Sequence, residues 1–253
     1  MNKSVNNGLN NRVSNNQRPL PRLENAGMDA WLVRLFDTID ERNMGWITAL
    51  VSACEQAFGK QLLDIVPSYT TVLVQFDALL LDHAQARRLL QQVLATLAPD
   101  SGDDNDSPIK ELSVWYHASV GPDMARLEQH TGLETAKLIA LHSDHIYRVF
   151  ALGFAPGFAF MGTLPAQLEL PRLERPRPRV PAGSVAIAGR QTAAYPHASP
   201  GGWNLLGRTN ARLFDVQRSG LSLLQVGDRV RFVPVNKAEF ARLGGDITPI
   251  REP

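Results

Sequence analysis

The side chains able to do chemistry are densest in one stretch, Ala182–Thr209, which reads AGSVAIAGRQTAAYPHASPGGWNLLGRT. Gln191, Thr192, Tyr195, Ser199, Asn204, Arg208 and Thr209 stand there at the ends of short β-prone segments. Polar groups at strand ends on a rigid scaffold commonly build a binding site, and the same groups can equally satisfy exposed backbone in turns. A glutamine both donates and accepts, which suits an amide or lactam. An arginine offers a planar fork for carboxylate or phosphate. Pro200, Gly201 and Gly202 directly precede Trp203, which reads as a tight turn delivering a bulky ring. Strand alternation beyond the turn puts Trp203 and Leu205 on one face and Asn204 and Leu206 on the other.

Further candidates lie outside that block. His142 and His145 are three residues apart in HSDH, but a metal site needs more ligands and a supporting shell, and no third ligand is nearby. A single functional or structural histidine is the reading. GFAPGFAFMG (Gly153–Gly162) either packs Phe154, Phe158 and Phe160 into a core or forms a pocket wall where glycine admits a ligand. Leu170–Ser184 holds four prolines and four arginines, so it reads as an extended surface segment. Its arginines are either a solvated strip or a dock for acidic groups. Neither G-x-x-x-x-G-K-[ST] nor G-x-S-x-G occurs. GSVAIAGRQT has five residues between its glycines and Arg190 in place of lysine.

The elements that must position these groups follow from periodicity. Ala30–Phe36 reads as a strand. Asp40 reads as an N-cap before a helix whose stripe is Met44, Ile47, Leu50, Val51, Cys54 and Phe58. LLDIV and TTVLVQF are strands split at Pro67–Ser68, and DHAQARRLLQQVLATLA is a helix with Leu90, Val93, Leu94 and Leu97 inward. Residues 1–27 read as a disordered polar leader, 28–98 as an α+β domain and 99–108 as an acidic linker. ELSVWYH is a strand that either closes the first domain or opens the second. Residues 109–253 read as the second domain, in which two short helices follow ELSVWYH and the chain turns strand-rich after Tyr147. YRVFAL, GSVAIAG, TAAYP, WNLLGRT, RLFDV and DRVRFVPV are separated by Gly and Pro, which points to a β-barrel.

Composition excludes several classes. Lys and Arg total 26 against 25 Asp and Glu, so the net charge of +1 gives no electrostatic case for nucleic acid or an anionic membrane as partner. No apolar run reaches the length of a membrane span, and no signal peptide is evident, so a cytoplasmic protein is expected. Cys54 is the only cysteine, which rules out intramolecular disulfides, and its place on the helical stripe makes it buried filler rather than a nucleophile.

GFAPGFAFMGTL, RPRPRVPAGSVAIAGRQTAAYP, SPGGWNLLGRT and GDRVRF together resemble the allophanate hydrolase subunit 1 family, and the resemblance covers about residues 28–235. That family includes the B subunit of bacterial ATP-dependent 5-oxoprolinase and a sporulation kinase inhibitor. The resemblance implies an N-terminal ferredoxin-like α/β sandwich followed by a C-terminal cyclophilin-like β-barrel. It implies ATP-driven cleavage of 5-oxo-L-proline to L-glutamate, with ATP and magnesium used by a complex that includes 5-oxoprolinase subunits A and C. Two other roles stay open within the family: inhibition of a sensor histidine kinase, and allophanate or urea processing. For the lactam reading, Gln191 is expected to read the amide and Arg208 to clamp a carboxylate or phosphate oxygen. Trp203 would supply an apolar wall and His142 the acid/base, with Thr192 and Ser184 as further substrate contacts. Phe160 and Met161 stand where the family often has Tyr and Leu.

Overall fold

The computed structural model describes residues 20–100 and 107–250. β1 (Arg22–Asn25) and β2 (Ala30–Arg34) open it as an antiparallel hairpin. The Asp40 carboxylate accepts from the Arg42 amide and caps the turn that leads into α1 (Met44–Phe58). β3 (Leu62–Pro67) and β4 (Thr71–Phe76) follow. α2 (His83–Thr96) then starts on a reciprocal capping box between Asp82 and Gln85. The sheet order is β1-β2-β4-β3, antiparallel throughout. Val72, Val74 and Phe76 alternate inward against Met44, Ile47, Leu50, Cys54 and Phe58 of α1 and Leu90 of α2.

One expectation changes here, and one open alternative is decided. The predicted polar leader ran to residue 27, yet β1 lies inside it. Leu23 pairs with Val33 at the sheet edge and packs on the first core, which is enough to order this short run. The rest of the leader, residues 1–19, and residues 101–106 of the predicted linker lie outside the described residues. The strand β5 (Ile109–Trp115), left unplaced by its sequence, runs parallel to the strand Arg229–Pro234 and antiparallel to the strand Asn204–Thr209, and so belongs to the second unit.

That unit continues with α3 (Met124–Thr131), α4 (Thr135–Ser143), β6 (Tyr147–Leu152), β7 (Ala159–Gly162), β8 (Arg177–Val180) and β9 (Ser184–Ala188). It ends with β10 (Gln191–Ala194), β11 (Ser199–Gly201), β12 (Asn204–Thr209), β13 (Arg229–Pro234) and the short helix α5 (Lys237–Arg242). Seven strands close a barrel in the order β10-β7-β6-β13-β5-β12-β9, consistent with the cyclophilin-like barrel expected, while β8 and β11 pair as a separate ribbon. RLFDV does not form the predicted strand. Only Phe214 bridges to Ser222, because the backbone turns back on itself through bonds such as Asp215 N–H to the Leu221 carbonyl.

Alternation sorts the barrel strands into two faces. Val149, Met161, Val185, Ile187, Ala194, Leu206 and Phe232 fill the interior, and Ala186, Ala188, Ala193, Trp203 and Leu205 pack outside it. Two bulges break the alternation. One falls between Val149 and Ala151, and the extra residue, Phe150, is buried in the core of the first unit. The other falls between Leu205 and Gly207 and reverses the facing of everything after it. Among the described residues no helix is long and apolar enough to cross a membrane.

Candidate functional site

Gln191 opens β10 on its outer face and reaches the first unit, where its Nε2 donates to the Tyr69 hydroxyl at 2.7 Å. Tyr69 sits in the turn between β3 and β4. Together with Ile39, Phe150, Thr163 and Arg190 the pair lines a cavity of about 330 Å³ at the junction of the two units. The Tyr69 ring lies 5.5 Å from Phe150 and 6.4 Å from Phe160. Phe160 in turn lies 6.0 Å from Trp203 and 4.8 Å from Phe158. These rings carry the wall into a second cavity of about 110 Å³, lined by Phe154, Phe158, Phe160, Arg172, Tyr195 and Trp203 with Pro200–Gly202 at its edge. Pockets for drug-sized ligands run to roughly 300–1,000 Å³, so this one suits a single small ring.

The glycine pair before Trp203 now has a reason. A Cβ at Gly201 would lie 2.3 Å from the Tyr195 hydroxyl, so only glycine lets β11 cross that ring. Trp203 is 4 % exposed and presents its face to the Arg172 guanidinium, 5.8 Å from the ring centroid. The two readings of GFAPGFAFMG both hold in part. Phe158 is buried, whereas Phe154 is 67 % exposed at the rim and held at φ 64°, in a region that non-glycine residues seldom occupy. Burial pushes the Tyr69 phenol up to about 12, against the lowering pull of the Gln191 hydrogen bond and the Arg172 charge. Burial also raises Tyr195, again opposed by Arg172 and, more weakly, by Arg177. Both phenols therefore keep their protons at neutral pH, and Arg172 is the cation whose field both of them feel.

His142 and Thr192 lie elsewhere. His142, near the end of α4, is fully buried in the barrel and stacks on Phe232 at 4.6 Å. Its Nδ1 lies 2.6 Å from the Tyr116 hydroxyl, its Nε2 2.9 Å from Thr192 Oγ1, and Thr192 donates to the Ala186 carbonyl at 3.1 Å. In the neutral ring only one proton arrangement satisfies all three contacts: Tyr116 donates to Nδ1, and Nε2–H donates to Thr192. Burial, with a smaller push from His145, lowers the imidazole from 6.5 to about 3. The structure thus corrects the expected acid/base role. A neutral ring with both nitrogens engaged and no exposure is an interior tie, and Thr192 is its partner rather than a substrate contact.

Arg208 and Ser184 are corrected for a different reason. The bulge at Leu206 turns Arg208 out of the barrel, opposite Ser184 on β9 and toward the C-terminal segment. Arg208 is 2 % exposed, and its Nη1 donates to the carbonyls of Asp246 and Thr248, both at 2.8 Å, with the Asp246 carboxylate at 3.2 Å. Ser184 is fully buried beside it. The proline-arginine strip also does more than meet solvent. Arg177 of β8 forms a two-pronged pair with Asp123 at 2.8 and 2.9 Å, and Asp123 also accepts from the Leu205 amide.

Of the predicted site residues, then, Gln191 and Trp203 lie on the aromatic cleft. Sequence reasoning did not single out Tyr69 or Arg172. Tyr69 meets Gln191 across 122 positions, which no local pattern shows. Arg172 was visible only as one arginine among four. Among the described residues no group of three or more His, Cys, Asp or Glu could hold a metal ion. The cleft's aromatic rings, its one glutamine, an Arg190 already engaged by the Leu164 carbonyl and the single further arginine, Arg172, do not fit a nucleoside triphosphate with its magnesium.

An α+β unit joined to a closed seven-stranded barrel, with a small aromatic cleft at the seam, defines the class of fold. Residues 21–224 match the family described as carboxyltransferase domain, subdomain C and D, and the chain belongs to that family. It is 32% identical over 229 residues to the 5-oxoprolinase B subunit of Bacillus subtilis, covering 87% of this chain and 95% of that one. It is 43% identical over 165 residues to the 5-oxoprolinase B subunit of Escherichia coli O157:H7, covering 65% and 73%. Among solved structures, that of TTHA0988 superposes with a TM-score of 0.73 at 35% identity, covering 88% of this chain. The chain spans only 41% of that solved chain.

Proposed function

We propose that this chain is the B-type component of an ATP-dependent 5-oxoprolinase, which opens the lactam of 5-oxo-L-proline to L-glutamate. The carrying observation is the similarity to two proteins named as B subunits of 5-oxoprolinase, one matched over 95% of its length. The cleft suits that substrate class. Trp203 and Phe160 offer flat apolar walls to a five-membered ring. Gln191, whose amide nitrogen is held by Tyr69, has a carbonyl oxygen left to accept from a lactam N–H. ATP with its magnesium belongs to a partner in this reading, because the cleft does not fit it. Partners corresponding to subunits A and C are required. The TTHA0988 chain is more than twice as long as its matched part, so such a fold does occur joined to further polypeptide. The N-terminal unit is read as a ferredoxin-like sandwich altered at one edge. β2, α1, β3, β4 and α2 follow that order, and β1 takes the edge beside β2 that a strand after α2 would fill. The protein is assigned to the cytoplasm.

The test is reconstitution. This chain, purified with its candidate A and C partners, is assayed for glutamate released from 5-oxo-L-proline with and without ATP. Release only with ATP and the full set is the expected result. No release, together with tight binding to a histidine-kinase dimerisation domain, would replace the proposal with the regulator.

A further inference from the structure

We infer that Arg172 is the residue that recognises the substrate's carboxylate, a role that the lactam reading of the sequence expected of Arg208. The inference rests on the 5-oxoprolinase reading and assigns that site its specificity. A cyclic amide bearing an α-carboxylate needs a cation at the rim of a small apolar pocket, within reach of the group that reads the amide. Arg208 cannot serve as folded, since its guanidinium is buried against the carbonyls of Asp246 and Thr248. Arg172 has the opposite surroundings. It is exposed, lies over the Trp203 ring at 5.8 Å and lines the 110 Å³ cavity. Its charge also acts on the phenols of Tyr69 and Tyr195, which stand on the two halves of the cleft. Tyr69 holds Gln191, so the amide-reading and carboxylate-reading groups flank one aromatic wall, Phe160. Its place over the Trp203 ring holds a planar fork at the cavity, which suits paired hydrogen bonds to a carboxylate and which lysine cannot reproduce.

The experiment uses the complex with its partners and compares the parent with Arg172→Ala, Arg172→Lys and Arg175→Ala. Arg175 is an exposed neighbour on the same strip that does not line the cavity, so it controls for lost charge alone. Loss of a charge-assisted contact raises KM for 5-oxo-L-proline by about tenfold or more. Arg172→Ala should do this with kcat within about twofold, Arg172→Lys should fall between, and Arg175→Ala should match the parent. An unchanged KM in Arg172→Ala overturns the inference. So does a fall in kcat as large as the rise in KM, or an equal effect from Arg175→Ala. A parent complex that releases no glutamate overturns the substrate reading itself and this assignment with it, whereas an active parent with an indifferent Arg172→Ala overturns this assignment alone.

Discussion

Lowering the pH should destabilise the barrel through His142, by an amount that follows from its surroundings. The folded ring has its pKa lowered to about 3, chiefly by complete burial, while the unfolded chain exposes an ordinary imidazole near 6.5. Between those values the unfolded state binds a proton that the folded state refuses. The contribution is therefore complete above about pH 6.5 and shrinks as the pH falls toward 3. From pH 8 to pH 5 the loss is about 1.4 kcal/mol per unit over about 1.5 units, or about 2 kcal/mol. For a chain of this size that is a fall in Tm of about 4–8 °C. Other groups titrate over the same range, so the comparison is with His142→Gln, which keeps a donor and an acceptor but cannot take up the proton. That variant should be less stable at pH 8, and its further loss on going to pH 5 should be smaller than the parent's by about 2 kcal/mol in urea titrations. Histidine ring NMR gives the direct check, with the other five histidines as internal references. A His142 resonance that titrates between pH 5 and 8, or identical pH dependence in parent and variant, would refute the neutral-tie reading.

Arg177→Met should strand the Asp123 carboxylate, whose side chain is 7 % exposed, at a cost of about 3–5 kcal/mol, or a fall in Tm of about 6–20 °C. The double variant Arg177→Met/Asp123→Asn, which removes the charge but keeps an acceptor for the Leu205 amide, should recover part of this in thermal melts; equal melting of parent and single variant would show that the pair holds nothing. Gly183→Ala meets two penalties, a backbone at φ +77° and a Cβ 2.3 Å from the Thr209 carbonyl oxygen. Gly132→Ala meets only the first, at φ +70° with open space around it. The first should therefore lose clearly more stability than the second, about 1–2 kcal/mol of each loss being conformational; equal losses in urea midpoints would contradict the close approach of β9 and β12.

Much of the fold was legible because burial in it follows simple periods. The stripe of α1, the capping residue Asp40, and the split of Trp203 and Leu205 from Leu206 are all local patterns that packing honours. The errors in the site have a local cause as well, one that hydrophobic patterning does not show. Reading WNLLGRT as a regular strand puts Arg208 on the side of Asn204 and Leu206, and one extra residue in β12 reverses that. A signal was present in Gly207, since glycine inside a strand often marks a bulge or a close backbone approach. A Cβ there would lie 2.8 Å from the Trp115 carbonyl oxygen. His142 misled for another reason. A buried and an exposed histidine read alike in sequence, and only the approach of α4 to Thr192 of β10 and to Tyr116 just after β5 shows that both ring nitrogens are taken. Tyr69 and Arg172 could not be found by spacing at all, because the cleft joins segments far apart in the chain.

That distance bears on how the site is kept in order. Neither unit owns the cleft. The barrel contributes Gln191, Phe160 and Trp203, but the amide of Gln191 is oriented by a tyrosine from the first unit. The same seam is pinned by the Phe150 ring, which leaves β6 at its bulge to enter the first core, and by the Thr163 amide, which donates to Glu41 at 2.7 Å. Replacing a buried phenylalanine with alanine costs about 3–5 kcal/mol, so Phe150 alone makes separation of the units expensive. A bulge is a poor way to stabilise a barrel, since it interrupts the ladder between β6 and β7. Its gain lies in re-aiming one ring, and here the ring is aimed at the neighbouring unit beside Tyr69. The two bulges thus act in the same manner at opposite sides of the barrel. One locks the wall of the cleft to the first unit, and the other turns Arg208 from the barrel interior to the outer face, where the C-terminal segment takes it, so that Arg172 is the cation that lines the aromatic pocket.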